Sequence, residues 1–129
     1  MVLDSSAVIA ILKAEPEAAT FLTKIAGTQI CRLSAANLVE IGLVSRQDSS
    51  GAYRKALNVL LQDFSVRIEP VSERQAWIAM EAYDRFGKGT GHPAGLNFGD
   101  CFSYALARDV EEPLLYKGND FSHTDLTPA

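Results

Sequence analysis

Short, nearly solid apolar runs alternate along this chain with longer stretches in which apolar residues recur every three or four positions. The first pattern suits buried strands and the second amphipathic helices. "MVLD" reads as a short buried strand ending at Asp4, and "SSAVIAILKAE" as a helix with Ser5 or Ser6 near its cap. Pro16 fits the first turn of a second helix that runs to about Ile25 and ends at Gly27. "TQICRL" predicts a second strand, and "SAANLVEIGLVSRQ" a third helix with Ser34 as N-cap. Gly51 to Phe64 reads as a fourth helix with Ala56, Leu57, Leu60, Leu61 and Phe64 along one face. "SVRIEPV" is a third strand, stopped by Pro70. Ser72 and Gln75 have capping-box spacing and open a fifth helix to about Phe86. The glycine-rich loop "GKGTGHPAGLN" leads into a sixth helix capped by Asn97. Pro113 precedes a last clear strand, "LLY", and a further short strand is expected near Leu126.

Strands and helices thus alternate from end to end, which predicts an α/β sandwich with a mostly parallel central sheet. Ligands in such folds bind beyond the carboxyl ends of the strands. Asp4 and the loop from Lys117 to Asp120 should both lie on that edge.

At 129 residues the expectation is a single domain spanning 1–129. There is no stretch of about 18 apolar residues, so no membrane span is expected. The N-terminus is apolar but carries Asp4 and lacks a basic lead, which argues against a signal peptide. Cys31 and Cys101 have neither metal spacing nor a disulfide framework and read as small core residues. A reducing cytoplasm is the expected location. The net charge of −4 argues against whole-surface attraction to nucleic acid but leaves room for a local basic rim.

The acids carry the chemistry. Asp100 is the one charged residue in "LNFGDCFSYALA". A carboxylate leaves water at a cost unless it is paired, hydrogen-bonded or bound to a cation. Its plain reading is a favourable interaction with the helix dipole, which needs only an exposed aspartate. Asp4 reads equally as a helix cap or as a metal ligand at a strand end. Glu40 lies inside the apolar "NLVEIGLV" and is either a rim residue facing solvent or a pocket residue. Asp120, in "KGND", has a turn residue as its plain reading, as does Asn119. Taken together the acids say more. Two carboxylates about 5 Å apart repel by roughly 3 kcal/mol at an effective dielectric of 20, so a cluster of them needs cations. An all-oxygen set suits Mg²⁺ or Mn²⁺, which can activate water against a phosphodiester.

Four blocks, in order, resemble a known family. They are "VLDSSAVIAIL" followed by "EPEA", then "LSAANLVEIGLV", then "FGKGTGHPAGLNFGDCFSYALA", and "LLYKGNDFSHTDL". The chain resembles a PIN-domain ribonuclease of the VapC toxin type; residues from about Gln47 to Val71 carry little of the likeness. The resemblance implies a three-layer α/β/α sandwich and an acidic pocket holding Mg²⁺ or Mn²⁺. Its acids correspond to Asp4, Glu40, Asp100 and, more loosely, Asp120. Asp4 and Asp100 would be the main direct ligands. Glu40 would complete the site or act as the base, and Asp120 would hold a second ion. Ser6 matches a supporting hydroxyl, and Asn119 is a further candidate hydrogen-bonding residue. The implied activity is hydrolysis of RNA by metal-activated water, leaving 5′-phosphate and 3′-hydroxyl ends. Arg85, Lys88, His92 and Lys117 are the candidate RNA contacts, each with a solvated loop charge as its plain reading. Trp77 and Tyr83 read as core. Gly95 stands where many relatives have a basic residue after "GHPA", which removes a possible phosphate contact.

The resemblance also implies a VapB-type antitoxin as partner and a homodimer. DNA is expected only through the antitoxin, because this chain has no DNA-reading motif. Two other classes remain at this stage. A phosphoryl-accepting receiver shares the length and an acidic Mg²⁺ site, but usually has adjacent acids at its first strand end, where only Asp4 stands here. The other is a catalytically inactive binding module on the same fold.

Overall fold

The computed structural model describes residues 1–129. Strands β1 (Val2–Leu3), β2 (Arg32–Ser34), β3 (Arg67–Glu69) and β4 (Leu114–Leu115) form one sheet, ordered β3-β2-β1-β4, with every pairing parallel. Helices α1 (Ser5–Leu12), α2 (Ala18–Ala26), α3 (Ala35–Ser45), α4 (Ala52–Asp63), α5 (Glu73–Phe86) and α6 (Phe98–Val110) connect the strands. A short 3₁₀ turn covers Asp120–His123.

Successive strand side chains point to opposite faces of the sheet, and the pairing register turns that rule into layers. Val2 is level with Leu114, and Leu3 with Leu115. Leu3, Leu33 and Leu115 pack in a core with residues of α1, α2, α3 and α4. Val2 and Leu114 pack in a second core with residues of α5 and α6. The result is the three-layer α/β/α sandwich, and it explains why β1 and β4 read as solid apolar runs: both faces of each are buried. No helix is long and apolar enough to cross a membrane.

The strands are shorter than the apolar runs suggested. β2 begins at Arg32 and β3 ends at Glu69, and Cys31 lies just ahead of β2, where it is a buried free thiol like Cys101. The strand expected near Leu126 is a single bridge, Leu114 to Pro128, with backbone bonds from Leu114 to Thr127 and from Ala129 to Leu114. Pro128 has no N–H with which to extend it. On α4, Leu57 and Leu60 are buried, but Ala56 is exposed. At α5, Ser72 caps as expected, accepting from the Gln75 N–H; the Gln75 side chain donates to Asp109 instead of closing the box.

Trp77 and Tyr83 are not core residues. They are 63% and 42% exposed. α5 packs on α6 through Gln75, Ala79, Ala82 and Phe86, a three-to-four-residue stripe, so residues 77, 80 and 83 fall on the opposite side. Small alanines allow the close helix pairing, and the large apolar residues are left outside.

Candidate active site at the strand ends

Three of the four candidate acids stand at or just inside the start of a helix, and Glu40 lies mid-helix on α3. Asp4 ends β1 and is the N-cap of α1, with extended backbone. Its Oδ2 accepts from the Ser6 N–H at 2.8 Å and from the Ser6 hydroxyl at 2.5 Å. Its Oδ1 accepts from the Ser103 hydroxyl at 2.6 Å. The residue is only 2% exposed. Burial pushes its carboxyl above the ordinary range; the Ser103 and Ser6 bonds oppose that, and the Glu40 charge adds to it. The capping reading is therefore realised, by a side chain that is also buried beside Ser103.

Asp100 likewise does two things. It is the N3 residue of α6 and completes a capping box: its backbone N–H donates to Asn97 Oδ1 at 2.9 Å, and its Oδ2 accepts from the Asn97 N–H at 2.8 Å. Yet its carboxyl is pushed up to about 7, chiefly by burial. The charges of Asp4, Asp120 and Glu40 raise it further, against the lowering effect of the Asn97 bond. Asp100 thus senses all three other candidate acids.

Glu40 lies on α3, and its Oε2 accepts from the Ser5 hydroxyl at 2.6 Å and from Asn37 Nδ2 at 3.3 Å. It leans over Gly99, in the first turn of α6, where a Cβ would stand 2.6 Å from Oε2. Asp120 is exposed, at the start of the 3₁₀ turn. The Ser6 hydroxyl, besides donating to Asp4, accepts from the Lys117 N–H at 2.9 Å, tying the loop after β4 to the end of β1. The Asn119 side chain does not cap the 3₁₀ turn and makes no hydrogen bond.

The basic candidates stand apart from the acids. Lys117 Nζ is paired with Glu15 at 2.6 Å and Glu17 at 3.2 Å. Arg85 pairs with Asp125 and Glu81, and its guanidinium lies over the Phe86 ring. His92 packs edge-on against Phe86, and its Nδ1 accepts from the Ala94 N–H. Lys88 is exposed and has no ion pair. Gly95 has φ +59°, a left-handed conformation strained for a side-chain-bearing residue.

Four residues of this neighbourhood escaped the sequence reading: Ser5, Asn37, Gly99 and Ser103. Ser103 offered a signal, because it is the one polar residue in "CFSYALA" and lies one turn after Asp100 on the same helix.

No lysine, arginine or histidine forms an ion pair with Asp4, Glu40, Asp100 or Asp120. The four acids, three of which act on the carboxyl of Asp100, therefore lack a protein counter-ion. Their oxygens fit a hard divalent cation. They do not form a closed cage, since no three stand close enough to grip one ion together. That open arrangement suits Mg²⁺, which is commonly held through one or two carboxylates and keeps several waters.

Comparison with known proteins bears on the whole chain. The family model described as "PIN domain" matches residues 1–126. Ribonuclease VapC28 of Mycobacterium tuberculosis is 50% identical over 129 residues, covering 100% of this chain and 97% of the relative. Among solved structures, VapC20 of M. tuberculosis, described as a sarcin-ricin loop cleaving toxin, superposes with a TM-score of 0.79 at 18% identity, covering 99% of this chain and 97% of that one. VapBC2 from Rickettsia felis, solved bound to a DNA fragment from its promoter, gives 0.75 at 16% identity over 99% and 96% of the two chains.

Proposed function

The chain belongs to the PIN domain family and is a VapC-type member of it, and from that premise we propose a divalent-metal-dependent endoribonuclease that acts as the toxin of a toxin–antitoxin pair. The observation that carries the metal dependence is that the charges of Asp4, Asp120 and Glu40 all bear on the half-buried carboxyl of Asp100, with no lysine, arginine or histidine paired to any of the four. Asp4 and Asp100 are the main ligands for Mg²⁺ or Mn²⁺. Asp120, exposed at the mouth, holds a second ion.

When bound, the ion lowers the pKa of a coordinated water and offsets charge on the phosphate and the leaving oxygen. The rest is the work of this chain's own residues. Ser6 and Ser103 aim the Asp4 carboxylate from both sides, so neither oxygen rotates freely. The Asn97 N–H fixes Asp100 Oδ2 and leaves Oδ1 without a hydrogen-bond partner. Glu40 Oε2 is held, and Oε1 is free to complete the ion site or to take a proton from the attacking water. No protein nucleophile is required.

RNA reaches the pocket along its rim, with Lys88 the unpaired cation best able to meet a phosphate. Lys117 and Arg85, already paired with acids, brace the fold rather than grip RNA. A VapB-type antitoxin silences the toxin, with a cationic side chain covering the carboxylates. The protein works in the cytoplasm as a homodimer of single-domain chains and meets DNA only through that antitoxin.

The test is cleavage of total bacterial RNA by antitoxin-free protein, with Mg²⁺, with chelator, and with Asp100→Asn. Asparagine still offers an oxygen to the Asn97 N–H, so the cap survives while the charge is lost. Discrete cuts that need Mg²⁺ and fall by at least about 10²-fold in the variant are expected. Cuts of equal strength in chelator would overturn the metal dependence.

A further inference from the structure

We propose that Asn37 is a positioning residue that locks Glu40 into one orientation in the acidic pocket, and so sets its affinity for a divalent cation. The inference rests on the reading of the acids as an ion site. Asn37 is 1% exposed and lies one turn before Glu40 on α3. Its amide Nδ2 faces three oxygens: Ser5 Oγ at 3.0 Å, the Gly99 carbonyl at 3.0 Å and Glu40 Oε2 at 3.3 Å. These belong to α1, α6 and α3, so one side chain ties together the helices that carry Glu40 and Asp100 and the helix that Asp4 caps.

The direction of every bond follows from donors and acceptors. A carbonyl and a carboxylate oxygen only accept, so the group facing them must be the NH₂ end. The Ser5 hydroxyl spends its one hydrogen on Glu40 Oε2 at 2.6 Å, so it can only accept from Asn37. Nδ2 has two hydrogens for three oxygens, so its bond to Glu40 is a shared one; Asn37 acts on Glu40 weakly by that contact and more firmly by fixing which way the Ser5 hydroxyl points. Both actions converge on Oε2 and leave Oε1 open.

The arrangement is costly to the fold. Asn37 Oδ1 is buried with no partner. A leucine of similar size would remove that unsatisfied oxygen. A buried polar side chain with one end unsatisfied and the other on a pocket carboxylate is better explained by what it positions than by stability.

The test is a double-substitution cycle on the full chain, titrating Mn²⁺ and following free Mn²⁺ by its electron paramagnetic resonance signal. Thermal unfolding in chelator checks each fold. Asn37→Leu should weaken Mn²⁺ binding by about tenfold, the scale set by outer-shell partners of metal ligands. In a Glu40→Gln background the same change should have almost no further effect, because its target is gone. If Asn37→Leu does not fold, Asn37→Ser, smaller and polar, takes its place in the cycle. Wild-type binding in Asn37→Leu, or equal losses in both backgrounds, would overturn the positioning role alone. No Mn²⁺ binding by the wild type would overturn the ion-site reading and this role with it.

Discussion

On the proposed function a proton and a cation would compete for Asp100. Its carboxyl sits at about 7 in the folded protein against an ordinary value of 3.8. The metal-free fold therefore holds a proton there that the unfolded chain has already released. By linkage, the stability this gives is complete below the unfolded value and is lost as pH rises through about 7. Asp4 shifts in the same direction. Asp48, Glu112 and Asp125 are lowered, by hydrogen bonds at Asp48 and by ion pairs and hydrogen bonds that outweigh burial at the other two. Their contributions are fully gained by about pH 5. Between pH 5 and 8 the pocket decides the slope. In chelator, the melting temperature should fall across that range. Saturating Mg²⁺ should remove most of the fall, and Asp100→Asn should make it shallower without metal, leaving the part due to Asp4. A wild-type melting temperature that climbs from pH 5 to 8 in chelator would contradict this electrostatic picture.

The first turn of α6 brings the site together, because Asn97, Gly99, Asp100 and, one turn later, Ser103 all touch it. Gly99→Ala should show how tightly. The new methyl would stand 2.6 Å from Glu40 Oε2, and Glu40 can swing away while the backbone stays. Folding should survive, measured by thermal melting, while RNA cleavage drops by about 10²-fold, the scale of a displacement near 1 Å at a reacting group. Full activity in this variant would mean that Glu40 is not needed where it lies. Helix starts such as this one were legible in the sequence because caps are local: Ser34, Ser72 and Asn97 each accept from a backbone N–H two or three residues on. Strand lengths were less legible, because an apolar run does not say where pairing stops. α5 misled for a different reason. Trp77 and Tyr83 share one stripe and Ala79, Ala82 and Phe86 another, and only the tertiary contact with α6 selects the stripe with the alanines. The acids could be picked out singly by their apolar surroundings, but their convergence came from resemblance. Ser103 and Asn37 stayed hidden because their partners are 99 and up to 62 residues distant in sequence.

The whole molecule is acidic, with a net charge of −4, so attraction to RNA must be local. Of the basic residues expected at the rim, Arg85 and Lys117 are spent on internal acids, and Lys88 is left free. Lys88→Gln should weaken RNA binding and reduce the slope of log affinity against log salt by about 0.7, the single-strand value for one phosphate. An unchanged slope would remove Lys88 from the interface. The exposed apolar residues Trp77, Met80 and Phe98, on α5 and α6, lie outside both cores. On the proposed mechanism the carboxylates support a hydrolysis in which water attacks phosphorus. The most direct measurement is the chemistry of the fragment ends after cleavage in Mg²⁺, read by end-specific ligation and sequencing. Attack by water leaves 5′-phosphate and 3′-hydroxyl ends, the expected result. Fragments ending in 2′,3′-cyclic phosphate would mean that the RNA's own 2′-hydroxyl is the nucleophile, and would contradict it.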